Sequence, residues 1–347
     1  MVHSPRAQAL WTAGLLIAAI AFLVVVGTQL SGGSQRILTG ALIHLAVVAG
    51  TYIFVGNSGV LSFGHIGFLG IGAYTAAWLT IAPSMKASLM PGLPAAIIAL
   101  ELHPVAGILG GGAMAALLAL VVGLPLTRLT GIAASIGTFA MLVILYAVFS
   151  NWTSVTGGQG SLYGLPIFTT LPIAAGLACI TILGAALHQA SASGFRLRGS
   201  REDPVAAAAS GVDTRRERLI AFVFSAFFVG MAGALYAYFL QVVVASEFYL
   251  SLTFITVAML VIGGMRSLTG AVVGTVFVSV LSEVLRQIEG GVALGPFVFD
   301  GLRGLQEMGL AAAMLLVLLF RPRGITGGRE ITLPQRQRDD TRVVTGA

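Results

Sequence analysis

The side chains of this sequence with chemistry to offer are few, and they stand apart. His44, His65, His103 and His188 fall on separate apolar stretches, and no His-x-x-x-His spacing places two imidazoles on one helical face for a metal. Glu247, Glu283 and Glu307 are the carboxylates open to a proton relay; Glu247 sits at the end of an apolar run and the other two near one face of the membrane. Thr156-Gly157-Gly158-Gln159-Gly160-Ser161 has the glycines of a phosphate-cradling loop, but that loop needs Gly-Lys-Ser/Thr. The single lysine, Lys86, lies between Met85 and Ala87, so there is no Walker A motif. Cys179 is the only cysteine and gives neither a disulfide framework nor a cysteine metal site. No clustered acid, base or metal set marks a membrane enzyme. Any ATP energy used here must arrive through a partner, and no metal or cofactor is expected on this chain.

The elements that position these residues are set by lipid. Residues 37–85 and 129–195 contain no Asp, Glu, Lys or Arg. An ionised side chain at the bilayer centre costs roughly 2.5–3.5 kcal/mol on insertion scales, which explains the silence. The composition agrees: 57% hydrophobic and 9% charged residues, with mean hydropathy +0.96. The expected fold is an all-α, polytopic transmembrane helical bundle of about 8–10 spans, each needing roughly 20 apolar residues. It would contain broken or re-entrant Gly-rich helices and one short cytoplasmic coupling helix. Residues 1–36 hold a first span retained in the protein, 37–320 form the main transmembrane domain, and 321–347 make a basic, disordered cytoplasmic tail.

Apolar runs fall at 10–30, 37–55, 61–80, 104–124, 131–150, 168–188, 219–240, 252–262, 271–285 and 305–320. With both termini in the cytoplasm and one crossing per run, 15 of the 19 Lys and Arg residues lie inside. Only Arg36, Lys86, Arg286 and Arg303 lie outside, as the positive-inside rule requires. A pI near 10.0 therefore reflects orientation and not nucleic-acid binding, because no stacking aromatics are interleaved with the basic residues. The runs 252–262 and 271–285 span only about 16 and 22 Å at 1.5 Å per residue, against a core of about 30 Å. They read as half-spans, or as helices lengthened through their Gly-rich junction.

Three stretches stand out. In the first, Asn57 to Tyr74, Gly64, Gly67 and Gly70 share one helix side, and Ser62, His65 and Gly72 lie among them. Helix packing and a translocation pathway are the two readings, and His65 is read first as a neutral, hydrogen-bonded histidine. The second, Gly157, Gly158, Gln159 and Gly160, is a compact outer turn, an outer gate or a docking surface for an external partner. In the third, residues 195–218, Asp203 before Pro204 matches an N-cap and first helical residue, alanines propagate about two turns, and Gly211 suits the C-terminal cap. Thr214 and Glu217 fit a capping box for the next span. The short helix has no bulky apolar anchor for lipid, so it is either an ordinary basic loop or a small-faced helix suited to a protein groove.

These residues resemble the permease subunits of branched-chain amino acid ABC importers, and the longer, M-type permease most closely, over about residues 40–320. The resemblance rests on Leu61-Ser62-Phe63-Gly64-His65 through Gly70-Ile71-Gly72-Ala73-Tyr74, on Thr156-Gly157-Gly158 with Gly160 and Gly164, and on Arg201-Glu202-Asp203 with Ala206, Ala207 and Gly211. Its fourth part is Gly263-Gly264 with Gly270 and Gly274. Arg266 and Ala271 stand where the family often has glycine and proline, and Pro204 or Val205 where importer permeases often show glutamate. The resemblance implies a bacterial inner-membrane permease with a second, distinct permease subunit, two cytoplasmic ATP-binding subunits that use ATP and Mg, and an extracytoplasmic solute-binding protein. It implies hydrophobic amino acids as cargo, with urea or short amides as the near variant. Arg201, Glu202, Asp203, Ala206, Ala207 and Gly211 would couple to the ATPases. Asn57, Ser62, Gly64, His65, Gly67, Gly72, Tyr74, Gly263, Gly264 and Gly270 would line the pathway or pack helices. A secondary transporter driven by an ion gradient is the reading from another class.

Overall fold

A computed structural model describes residues 5–289, 292–294, 297–299 and 304–331. Its helices run α1 (Pro5–Gly27), α2 (Gly32–Ser58), α3 (His65–Thr80), α4 (Pro83–Leu89), α5 (Ala95–Ala99), α6 (Pro104–Leu126), α7 (Gly131–Asn151) and α8 (Thr153–Thr156). They continue with α9 (Leu171–Gln189), α10 (Ala192–Glu202), α11 (Pro204–Ala209), α12 (Thr214–Leu240), α13 (Leu250–Gly263), α14 (Leu268–Glu289) and α15 (Leu305–Phe320). Strand β1 (Leu162–Tyr163) pairs antiparallel with β2 (Val242–Val243), with Leu162 opposite Val243. Between α14 and α15 in the chain, β3 (Val292–Leu294) pairs antiparallel with β4 (Phe297–Phe299), Val292 opposite Phe299.

Eight of the described helices are long and apolar enough to cross a membrane. Two further apolar helices are shorter: α3, and α15 from Met308 to Phe320. Every apolar run of the sequence therefore contains a helix, and the all-α polytopic bundle is the observed architecture. The two short runs are not half-spans. A 3-10 turn at Ala245–Phe248 leads into α13, giving 19 residues from Ala245 to Gly263. Helix α14 continues past its apolar run to Glu289, 22 residues or about 33 Å. Charged residues at the end of α14 lengthen it without interrupting its hydrogen bonds, which is why the apolar count fell short.

The broken element lies elsewhere, between α2 and α3. Gly59, at φ +71°, ends α2 by donating its N–H to the Val55 carbonyl, and residues 60–64 are not helical. Polar side chains make this break tolerable: Ser58 Oγ accepts from Val60 N at 3.2 Å, and Thr138 Oγ1 from Phe63 N at 3.3 Å. What remains for α3 is 16 residues, about 24 Å, nearly all of them buried.

Helix α12 is the axis of the bundle, packing most extensively on α6, α3 and α2, while α9 covers α2 and α1 covers α9. Close approach is bought by missing side chains: a Cβ at Gly72 of α3 would run into the Gly230 carbonyl of α12, and one at Gly233 into the Leu69 carbonyl. Between α12 and α2 the polar lock is Ser225 Oγ, which donates to the Gly50 carbonyl at 2.7 Å.

The segment after α15 is not loose as far as residue 331. Ile325 N donates to the Ile262 carbonyl at 2.8 Å, and Thr326 Oγ1 to the Gly263 carbonyl at 2.8 Å. Hydrogen bonds to the open C-terminal carbonyls of α13 order a stretch that composition alone marks as tail. Arg303 and residues 332–347 lie outside the described residues.

Candidate functional site

The coupling segment folds as its caps dictate. Asp203 Oδ1 accepts from Val205 N and Ala206 N, both at 2.9 Å, with Pro204 as the first helical residue. At the other end Ser210 is the C-cap and Gly211, at φ +77°, follows it. Val212 N reaches the Ala207 carbonyl and Gly211 N the Ala208 carbonyl, each at 3.0 Å, which is a complete Schellman motif. The result is a rigid α11 of six residues. Val205 is 77% exposed and Ala206, Ala208 and Ala209 are exposed, whereas Ala207 is buried. The outer face is thus small and smooth, and Ala207 is its inner anchor and not part of it.

The expected capping box at Thr214 is not formed. Asp213 is the N-cap of α12, its Oδ1 accepting from Arg215 N and Arg216 N at 3.1 and 3.2 Å. A carboxylate is the stronger acceptor at that end, since it also offsets the positive helix terminus and the adjacent arginines. Glu217 is engaged by α10 instead, accepting from Ser193 Oγ and, at 3.2 Å, from Arg196.

Arg201 and Glu202 connect α11 to the bundle. Arg201 turns inward and its Nη1 donates to the Gly56 carbonyl at 2.6 Å, while Nη2 meets Glu202 at 2.7 Å. Glu202 also faces Arg266, at 3.8 Å, in the α13–α14 turn. The hydrogen bond from Arg201, with the charges of Arg201 and Arg266, holds the Glu202 carboxyl below the usual carboxylate range. So Arg201 is a tether within the chain, and Glu202 bridges the coupling segment to the turn that follows α13.

Glu330 was invisible from sequence. Its Oε1 accepts from Leu268 N at 2.6 Å and from Gln189 Nε2 at 3.2 Å. Its Oε2 accepts from Thr269 N at 3.1 Å and Thr269 Oγ1 at 2.8 Å. The carboxylate caps the positive end of α14 and ties it to the end of α9. A lone acid in a basic tail carries no local signal of that role. Lys86 was likewise unassigned: its ammonium is fully buried and donates to the carbonyls of Trp78, Ile97 and Leu100, binding α3, α4 and α5 together.

The remaining sequence-chosen residues divide into packing and polar interior. Gly64, Gly67 and Gly70 meet Met141, Leu145 and Phe149, all on α7, so the glycine side of α3 is a helix contact. Gly263 lies against Gly270 across the α13–α14 turn, and Gly264, at φ +118°, makes that turn. His65 Nδ1 is bonded to Ser62 Oγ at 2.7 Å, and Phe54, Phe68 and Phe222 surround the ring. Its Nε2, the Asn57 Oδ1 and the Tyr74 hydroxyl are buried without a partner among the described residues. Asn57 Nδ2 donates to the Ile53 carbonyl at 2.8 Å, and the Tyr74 ring packs on Phe149 at 4.7 Å. In the outer turn Gly157 and Gly158, at φ +74° and +61°, shape the backbone, and Gln159 and Gly160 are its exposed tip. Among the described residues no group of His, Cys, Asp and Glu could hold a metal.

Comparison with known proteins places this geometry. A family model described as branched-chain amino acid transport system / permease component matches residues 33–319. The high-affinity branched-chain amino acid transport system permease protein LivM of Escherichia coli K12 is 26% identical, over 92% of this chain and 75% of its own length. LivM of Salmonella typhimurium LT2 matches with the same identity and coverage. A probable branched-chain amino acid transport permease protein LivH of Methanocaldococcus jannaschii is 26% identical over 39% of this chain and 40% of its own length. No solved structure matches the chain.

Proposed function

Since the chain belongs to the permease-component family of branched-chain amino acid transport systems, we propose that it forms half of the passage through which hydrophobic amino acids enter a bacterial cell. The chain is a multi-pass membrane protein and a permease subunit of an ABC importer, a transport component and not an enzyme. Such permeases work with ATPase and binding-protein partners. In the proposed assembly a second, related permease completes the passage, two cytoplasmic ATPases consume ATP and Mg, and an extracytoplasmic protein delivers cargo. Both termini of this chain face the cytoplasm of a bacterial inner membrane.

One observation carries the mechanism: α11 is a rigid, small-faced helix tied by Arg201 to the end of α2 and by Glu202 to the α13–α14 turn. Movement of docked ATPases would press on Val205, Ala206, Ala208 and Ala209. The tethers would pass that displacement to α2 and α14, and so rock the bundle between inward- and outward-open states. Branched-chain cargo is supported by the likeness to LivM, a permease of high-affinity branched-chain amino acid transport, and by a charge-sparse interior that disfavours strongly charged solutes.

The test is uptake by proteoliposomes containing the full complex and its receptor, with leucine, valine and urea compared. ATP-dependent leucine and valine uptake is expected. Urea uptake in their place would overturn the cargo assignment, and uptake driven by an ion gradient without ATP would overturn the mechanism.

A further inference from the structure

A cavity of about 350 Å³ lies among α2, α12, α13, α14 and α15, apart from the coupling segment. That is at the small end of ligand pockets, which run about 300–1,000 Å³. Arg36, His44, Ser279 and Glu283 contribute polar groups to it, and Phe239, Ile255 and Met259 contribute apolar wall. Arg36 and Glu283 lie toward the ends of α2 and α14 assigned to the outside. His44 is about 18 Å along α2 from Gly32, so the cavity reaches well into the membrane.

The hydrogen-bonding capacity of this cavity is not used up. Ser279 Oγ is buried and has no hydrogen-bond partner among the described residues. His44 meets Tyr236 edge-on, with 6.0 Å between centroids, and has no hydrogen bond among the described residues. The Arg36 guanidinium lies 5.2 Å from the centre of the Phe239 ring and has no carboxylate within ion-pair distance among the described residues. Glu283 accepts from Arg286 Nε at 3.0 Å, Arg286 Nη2 at 2.7 Å and Gln287 Nε2 at 2.9 Å. An ionised carboxylate offers about four acceptor positions, so one remains on Oε2. A buried polar group without a partner is costly, and the exposed guanidinium of Arg36 at the outer edge of the cavity is free to pair with an anionic group.

We propose that this cavity is the outer cargo station of the passage and holds one zwitterionic amino acid with an apolar side chain. Arg36 takes the carboxylate, with the Ser279 hydroxyl as a further donor. Glu283, already oriented by Arg286, accepts the ammonium on Oε2. Phe239, Ile255 and Met259 enclose the side chain. A simple cation would leave Arg36 unpaired, a simple anion would leave the Glu283 acceptor idle, and a neutral amide discharges neither. The assignment rests on the importer reading and adds to it the residues that recognise cargo.

The experiment uses the complete complex in nanodiscs, with Ile255→Cys as a thiol reporter in a Cys179→Ser background and Met259→Cys as a second reporter should the first not assemble. The rate of maleimide labelling is measured with millimolar leucine, with leucinamide, which lacks the carboxylate, and with 4-methylpentanoate, which lacks the amine. Leucine is expected to slow labelling several-fold and the two analogues to leave it unchanged, and Arg36→Gln should remove the protection by leucine. Equal labelling with and without leucine, in a complex that imports leucine, overturns the station while the importer stands. Protection by leucinamide equal to that by leucine overturns zwitterion recognition. A complex that imports no amino acid overturns the importer reading and the station with it.

Discussion

The guanidinium of Arg201 donates to the carbonyl of Gly56 at 2.6 Å, so the cytoplasmic segment is fastened to the C-terminal end of α2. A cation there also meets the negative end of the helix. Replacing Arg201 with alanine removes a charge-assisted bond of about 1.5–3 kcal/mol. Arg201→Ala is expected to insert and to bind the ATPases, but to hydrolyse ATP with little uptake. The measurement is the ratio of transported solute to ATP consumed, and an unchanged ratio would remove Arg201 from the transmission path.

Glu202 gives this tether a pH dependence. Its folded pKa is lowered, so the stabilisation is fully present above the ordinary carboxylate value of 4.5 and is lost as pH falls through the folded value. The difference in melting temperature between the protein and Glu202→Gln should therefore be constant from neutral pH to about 5 and shrink in more acid solution. A difference that grows on acidification contradicts the sign.

The two sides of α11 should respond differently to charge. Val205→Glu alters only the exposed face, so the permease is expected to fold normally while the ATPases no longer co-purify. Ala207→Asp buries a carboxylate and should destabilise the segment itself, by roughly 1–3 kcal/mol. Proteolysis of the loop distinguishes them: faster cleavage is expected only in Ala207→Asp.

Glu330→Gln leaves one acceptor oxygen where two now serve Leu268 N and Thr269 N. The loss should be about 1–3 kcal/mol and local to the start of α14. Faster amide exchange at residues 265–271, with exchange at α12 unchanged, is the expected signature.

Gly72→Val tests the crossing of α3 and α12, because any Cβ there meets the Gly230 carbonyl. Backbone displacement of this kind costs about 1–3 kcal/mol or more. The variant should melt lower in nanodiscs and be depleted from the assembled complex.

How much of this was legible beforehand follows from range along the chain. The cap at Asp203 and the glycines of α3 are local patterns, and each appears where its residues stand, whereas the break near Gly59 was not read from its residues and the interruption was expected at α13 and α14 instead. The apolar count misjudged the lengths of α13 and α14, because helix ends are set by hydrogen bonds and caps, which polar residues continue as well as apolar ones. The capping box failed for a related reason: Glu217 had a partner on α10 that its own helix could not reveal.

The sequence by itself determined the solvent and the fold class, because excluding charge from long apolar runs is a property of each run taken alone. It also determined that no nucleotide site of the Walker type resides on this chain. Only the tertiary structure decided what Arg201 and Glu330 hold together. Arg201 meets Gly56 across 145 positions and Glu330 meets Thr269 across 61. Such contacts are fixed by how helices pack, and no local pattern encodes their partners.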